Sequence, residues 1–303
     1  RKSIILIVKY YSFNKFLREK FGCKVYKIAI DGGFTCPNRD GTIDTRGCIF
    51  CSAGGSGDFA SDRNLSIYEQ IETGKKLVEK KNKSGKYIAY FQAFTNTYAP
   101  CSVLKKKFEE AINHPDIVAV SVATRPDCLE DDTLELLCEL NKKKPVFVEL
   151  GLQTIHQKTA DYIRRGYDLS VFDNAVKRLK KTGVNIVVHL IFGLPDESFS
   201  DMMQSVQYVV DSGVDGVKFQ LLHILRGTDL EKEYFLGNVK PLEMDEYLHI
   251  LYSALKLLPD NMVVHRVTGD GAKKDLIAPL WSADKKRVLN AVNSYGEDDE
   301  TVS

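Results

Sequence analysis

What the 303-residue chain does not contain already removes most classes of protein. There is no long apolar run. The stretch Ile4-Ile5-Leu6-Ile7-Val8 is far shorter than the ~20 residues that cross a bilayer, and no small-residue cleavage site follows it. Neither a membrane span nor a signal peptide is therefore expected. There is no surplus of charge either, since 42 Lys and Arg face 41 Asp and Glu. That excludes a global basic field for nucleic acid and the acidic excess of a disordered chain, so any basic patch must be local. The seven cysteines form no even, regular framework. An odd, irregular set fits a reducing compartment, and the expected location is the cytoplasm. Low-complexity segments and long linkers are missing, as are a Ser-His-Asp arrangement, a phosphate-cradling glycine loop and a zinc-protease motif.

What is present is an alternation of short apolar runs with segments of helical period. After a short helix near 13–20, strands are expected near 25–30, 87–92, 117–122, 146–150, 186–192, 217–222 and 263–267. Helices are expected near 67–80, 102–113, 131–142, 170–182, 199–212 and 243–258. Runs that are apolar on both faces suit parallel strands covered by helices. Thr182-Gly183 and Ser212-Gly213 suit helix ends, while His114-Pro115 and Lys144-Pro145 stop helices before strands. Seven strands with six crossovers describe an α/β protein, an incomplete parallel β/α barrel with an added seventh strand. We divide the chain into an N-terminal extension (1–24), the partial barrel (25–280) and a C-terminal helix with a frayed acidic tail (281–303).

Three of the cysteines fall within sixteen residues, from Cys36 to Cys51. Eleven residues separate Cys36 from Cys48 and two separate Cys48 from Cys51, and Gly41 and Gly47 let the backbone fold the distant thiol onto the close pair. Three is the informative number. A structural zinc site closes with four protein ligands, whereas a [4Fe–4S] cluster held by three cysteines keeps one iron open. A zinc knot would have to recruit Cys23. Cys23 precedes the first strand while the loop follows it, so a rise of ~3.3 Å per residue separates them by roughly 20 Å or more. Cys23, Cys101, Cys128 and Cys138 are expected to be small buried hydrophobes.

The wording of the loop, Asp31-Gly32-Gly33-Phe34-Thr35-Cys36-Pro37-Asn38-Arg39-Asp40-Gly41 followed by Gly47-Cys48-Ile49-Phe50-Cys51, resembles the YtqA/YhcC-like radical S-adenosylmethionine (SAM) family. That family is related to the Elongator catalytic subunit and to oxygen-independent coproporphyrinogen oxidase. The resemblance implies a [4Fe–4S] cluster on Cys36, Cys48 and Cys51, with SAM bound at its open iron. It also implies an electron donor such as flavodoxin or ferredoxin, and a 5′-deoxyadenosyl radical as the reactive species. The implied substrate is wobble uridine of tRNA, on the carboxymethylaminomethyl to aminomethyl branch. A small substrate such as a tetrapyrrole is the second possibility and a non-enzymatic zinc protein the third.

The same resemblance suggests residues for SAM. Thr95, in Gln92-Ala93-Phe94-Thr95, stands where relatives carry a glycine-rich turn for the amino group, and a packed strand-end turn is the alternative. Gln153 in Gly151-Leu152-Gln153 would touch SAM. Arg165 would pair with its carboxylate or else be a solvated helix-end charge. His189, in place of a usual aspartate in His189-Leu190-Ile191-Phe192-Gly193-Leu194-Pro195, would bond a ribose hydroxyl or be satisfied in the core. Phe50 and Ile191 would pack adenine or the core. Thr124-Arg125-Pro126-Asp127 resembles a motif of the Elongator-like group, with Ala123 where an acidic residue is common. Lys218, Gln220, His223, Arg226, His265 and Arg266, with Asp270, are substrate candidates whose types suit a polar, anionic partner.

Lysine clusters recur along the chain. Those at 80–81, 142–144 and 180–181 close helices, where cations complement the dipole. Those at 105–107, 273–274 and 285–287 have no such local reason and are the expected phosphate contacts.

Overall fold

The computed structural model describes residues 10–55, 57, 60–80, 83–269 and 273–294. The apolar stretch 4–8, Lys81, Asp270 and the acidic tail 296–303 lie outside them. In chain order the elements begin with α1 (Phe13–Phe21), β1 (Tyr26–Ile30), α2 (Ile67–Val78), β2 (Tyr87–Phe91), α3 (Cys101–Asn113) and β3 (Ile117–Thr124). Then come α4 (Asp131–Lys143), β4 (Val146–Gln153), α5 (Gln157–Tyr162), α6 (Leu169–Lys180), β5 (Asn185–Phe192), α7 (Phe199–Asp211) and β6 (Gly216–Leu221). The chain continues through β7 (Ile224–Leu225), α8 (Asp229–Phe235), α9 (Met244–Leu257), β8 (Val263–Arg266), β9 (Leu276–Ala278) and α10 (Lys285–Ser294).

Seven strands pair in the order β1-β2-β3-β4-β5-β6-β8, every pair parallel. They make an open, curled partial barrel. Parallel strands covered by helices must be apolar on both faces, and β2 is buried at all five positions. The large core gathers Ile71, Phe91, Phe108, Leu137, Val148, Phe172, Val188 and Tyr247 between the sheet and its outer helices. Helix starts follow local chemistry. Ser66 with Glu69 caps α2, and Ser198 with Asp201 caps α7, each as a reciprocal capping box.

Helix α1, ahead of the first strand, packs against the barrel. Helix α1 starts at Ser12, which accepts from Lys15 N, and ends at Gly22 with φ of 70°. Its Phe13 and Leu17 pack with Val25, Ile88, Ala119, Phe147, Val187 and Val263, closing the N-terminal end of the strands. Expected strands and long helices all form. The elements not foreseen are α5, α8 and the small antiparallel β7–β9 pair. Six- and seven-residue helices are too short to show a period in sequence.

Candidate active site

The loop after β1 folds back on itself through its own backbone. Arg39 N and Asp40 N donate to Cys36 O at 2.8 and 3.2 Å, Ile43 N donates to Pro37 O at 2.8 Å, and Gly47 N donates to Asn38 O at 2.7 Å. Gly47 has φ of 78°, and a Cβ there would sit 2.9 Å from Arg39 Nε, so only glycine allows that guanidinium to lie across the turn. Arg39 Nη2 in turn donates to Cys51 O at 3.0 Å and Ser52 O at 2.6 Å. Buried Asn38 joins the loop to the segment after α5: its Nδ2 donates to Arg164 O at 2.7 Å and lies 3.5 Å from Cys48 Sγ. These contacts bring Cys36, Cys48 and Cys51 to one wall of a single cavity at the C-terminal ends of the strands. In parallel β/α barrels that end carries the chemistry.

The cavity is also lined by Phe50, Thr95, Gln153, Arg165, His189 and Ile191. Thr95 is buried, and its N donates to Thr35 O at 3.1 Å. Gln153 adopts φ of 70°, and its buried Oε1 has no hydrogen-bond partner. A left-handed non-glycine residue with an orphaned oxygen stores strain where a ligand can use it. Ile191 is buried with Ile49, Ile163, Leu194 and Leu222, and Phe50 packs at their edge.

Arg165 is not a solvated charge. Only 2 % exposed, it donates through Nε and Nη2 to Tyr167 O at 3.1 and 2.9 Å. Its Nη1 donates to Leu152 O at 3.2 Å and Thr154 O at 2.6 Å. Four of the five N–H positions are thus engaged, burial lowers its pKa, and among the described residues no carboxylate pairs with it. Arg164 instead reaches Asp229 at the start of α8, at 2.8 Å.

Below these groups the lumen holds a polar network centred on fully buried Glu149. Its carboxylate accepts from Lys27 Nζ at 2.6 Å, from Ser121 Oγ at 2.5 Å, from His189 Nε2 at 2.9 Å and from Lys218 Nζ. Lys218 Nζ also donates to Tyr90 OH at 3.1 Å. Burial alone would raise the Glu149 pKa, but the Lys218 and Lys27 ammonium groups hold it well below the usual range. Burial and then Lys218 lower His189 to about 4, so the imidazole is neutral. Gln220 Nε2 meets its Nδ1 at 3.1 Å, so Nε2 carries the proton donated to Glu149. Both ring nitrogens are engaged, and the expected bond to a ribose has no free ring nitrogen to make it.

Of the remaining candidates, Lys218, Gln220, His223 and Arg266 line the cavity. Two expectations are corrected. Arg226 is exposed in the turn after β7, because the chain leaves the barrel at residue 222 and pairs with β9 instead. His265 faces the closed end, its ring stacked on Phe13 at 3.9 Å between centroids. On a strand only alternate residues share a face, and their depth decides which end they reach. Cys23 packs beside the α1 plug, at the opposite end of β1 from the cysteine loop, which removes the four-cysteine zinc site.

Sequence reasoning gave no role to Glu149, Tyr90, Lys27, Asn38 or Arg125. Arg125 forms a two-point pair with Asp127, at 2.9 and 2.6 Å, beside the cysteines. A lone glutamate inside an apolar strand was the one visible signal, since a fully buried carboxylate requires partners.

Comparison with known proteins agrees with this geometry. The family described as the Radical SAM superfamily matches residues 44–209, and a Radical_SAM C-terminal domain matches 214–298. YtqA of Bacillus subtilis strain 168 is 48% identical over 94% of this chain and 88% of its own length. For YhcC of Escherichia coli K12 the figures are 37%, 93% and 91%. The tRNA uridine(34) acetyltransferase of Methanocaldococcus jannaschii is 27% identical over 54% of this chain and 30% of its own length. The Elp3 structure from Methanocaldococcus infernus covers 88% of this chain and 63% of its own at 18% identity, with a TM-score of 0.65, and so shares the fold. The chain belongs to the radical SAM superfamily, in the group of YtqA and YhcC. Enzymes of this superfamily use a [4Fe–4S] cluster and SAM.

The cysteines here fit such a cluster better than a single ion. Tetrahedral zinc at about 2.3 Å from each sulfur holds its sulfurs about 3.8 Å apart. Among the described residues these three do not all lie within 4.8 Å of one another. Burial pushes the Cys48 thiol up to about 12, with the Cys51 and Cys36 sulfurs adding to the rise. Converging thiols that repel one another's ionisation are the condition that bound iron reverses.

Proposed function

We propose that Cys36, Cys48 and Cys51 hold the [4Fe–4S] cluster and leave one iron open to SAM. The observation that carries this is the convergence of the three thiols on the cavity also lined by Gln153 and Arg165. Thr95, Gln153 and Arg165 surround the polar end of SAM, Arg165 through its remaining N–H and its positive field. Phe50 and Ile191 supply an apolar wall for the adenine. The cofactor pair supplies one-electron cleavage of SAM to methionine and a 5′-deoxyadenosyl radical. The chain's own part is to orient SAM, place a cation, Arg125, beside the thiolates, and keep water out of the lumen. An external donor such as flavodoxin or ferredoxin provides the electron.

The substrate in this reading is the wobble uridine of tRNA, on the carboxymethylaminomethyl to aminomethyl branch. Support comes from a more distant relative named for uridine 34 of tRNA and from exposed Lys105 and Lys106 near the start of α3, on the mouth side. A base must leave its stack to reach a buried reacting centre. The test is anaerobic reconstitution followed by 5′-deoxyadenosine assay with and without bulk tRNA, then nucleoside analysis. Turnover raised by tRNA with loss of one modified uridine is expected. Turnover indifferent to tRNA, with no nucleoside changed, overturns the substrate assignment and turns the search to small molecules.

A further inference from the structure

One buried side chain touches both the cysteine loop and the segment that carries Arg165. Asn38 is fully buried, and its neighbours fix which way its amide points. Its Nδ2 donates to Arg164 O at 2.7 Å and reaches Arg165 O at 3.4 Å, and two carbonyl oxygens can face only the N–H side of an amide. The same nitrogen lies 3.5 Å from Cys48 Sγ, so its second N–H is left for that sulfur. Cys48 Sγ in turn lies 3.7 Å from Arg164 O, toward which its S–H donates. A thiol gives up that proton when it binds iron. Sulfur and carbonyl are then two acceptors that the Asn38 NH2 serves together. The local backbone is arranged around this contact. Arg164 adopts φ of 57°, a left-handed conformation that is strained for a non-glycine residue. Gly166 has φ of 81°, and a Cβ there would sit 2.9 Å from Asn38 Oδ1. That buried oxygen has no hydrogen-bond partner among the described residues. Strain at 164, a glycine at 166 and an unpaired oxygen are all unfavourable, and together they hold one NH2 on a sulfur.

We propose that Asn38 raises the reduction potential of the cluster by donating an N–H···S hydrogen bond to Cys48. This rests on the assignment of the cluster to Cys36, Cys48 and Cys51. The step concerned takes one electron from an external flavodoxin or ferredoxin, which is oxidised as the cluster is reduced; no bond breaks and no proton moves. The added negative charge spreads onto the sulfurs, so a donor on sulfur stabilises the reduced state more than the oxidised one. Arg125 also lies beside Cys48, but its two-point pair with Asp127 offsets its charge. Asn38 acts through Cys48 and is therefore a positioning residue. Because its NH2 also holds the carbonyls of Arg164 and Arg165, it fixes the Arg165 segment relative to the same sulfur.

The experiment is a redox titration of the reconstituted holoenzyme, followed by electron paramagnetic resonance of the reduced cluster. Asn38→Ala is expected to lower the reduced-to-oxidised ratio at a fixed potential by about three- to tenfold, a shift of about 30–60 mV for one electron. Asp229→Asn is the control, since it releases Arg164 from its ion pair and leaves both Asn38 contacts in place. It removes a negative charge, so loosening the joint in this way should not lower the potential. A change below about 1.5-fold in Asn38→Ala, or an equal drop in Asp229→Asn, overturns the proposal. The parent alone gives a second reading, which stands even if Asn38→Ala fails to load. Enzyme made with isotopically labelled asparagine should show a nitrogen coupling to the reduced cluster in pulsed resonance, and no asparagine coupling overturns the N–H···S bond. A parent that takes up no iron removes the cluster assignment and this proposal with it, whereas a parent that loads about four irons and fails these tests loses the Asn38 role alone.

Discussion

Replacing Glu149 by Gln isolates the electrostatics of the lumen with little change in shape. The carboxylate is fully buried and holds both Lys27 and Lys218, the latter 3 % exposed. The amide keeps one acceptor but turns an NH2 toward ammonium groups that have no other carboxylate among the described residues. Removing one partner of a buried pair costs about 3–5 kcal/mol, because the remaining charge is left without compensation. Unfolding entropy of about 2.1 cal/mol/K per residue gives roughly 0.6 kcal/mol/K for the 303-residue chain. A loss of about 4 kcal/mol therefore lowers Tm by about 6 °C. Lys218→Met, which leaves Glu149 still paired with Lys27, should cost about 1 kcal/mol, chiefly the lost bond to Tyr90. The double variant should recover part of the Glu149→Gln loss, with a coupling of about 2 kcal/mol. Urea unfolding of the apoprotein, followed by circular dichroism, measures all four corners of the cycle. A Glu149→Gln cost below about 1 kcal/mol, or additivity within about 0.5 kcal/mol, would refute the network as described.

Four further outcomes are expected. Cys36→Ala, Cys48→Ala and Cys51→Ala should each abolish the iron content, while Cys23→Ala retains about four irons per chain; stoichiometric zinc in the parent refutes the assignment. Arg165→Ala should weaken SAM binding by roughly ten- to a hundred-fold, the loss of a charge-assisted bond of about 1.5–3 kcal/mol. Arg164→Ala, which frees Asp229, should change SAM binding little, and equal small effects speak against the carboxylate role. His189 binds its proton at about 4 in the folded chain against 6.5 unfolded, so the unfolded state takes up protons first as pH falls. Stability held above pH 6.5 should therefore decline toward pH 4 by about 3 kcal/mol, and His189→Gln should flatten that decline in an acid unfolding series. Charge reversal at Lys105, Lys106 and Lys107 should weaken tRNA binding and shallow its salt slope by about 0.7–0.9 per lost phosphate contact. Reversal at Lys142, Lys143 and Lys144 should do little, since Lys143 pairs with Glu109 and Lys144 bonds His114 O.

The alternation of apolar runs and helical periods determined the seven-stranded parallel sheet, because covered parallel strands leave a two-faced apolar signature in the chain itself. Cysteine spacing and the motifs around Gln153, Arg165 and Ile191 are local in sequence, and the residues they single out line one cavity. Tertiary structure alone decided which polar residues meet. Lys27, Ser121, Glu149, His189 and Lys218 come from five strands and converge only because the sheet curls. The same curl sends His265 to the closed end under Phe13 while its neighbour Arg266 lines the cavity. The burial of Arg165 was not legible, because no sequence pattern reveals that Leu152, Thr154 and Tyr167 turn their carbonyls toward it. Period and spacing are written along the chain, but burial depth and the closing of a charge network depend on contacts between distant residues, such as Lys218 and Tyr90, 128 positions apart.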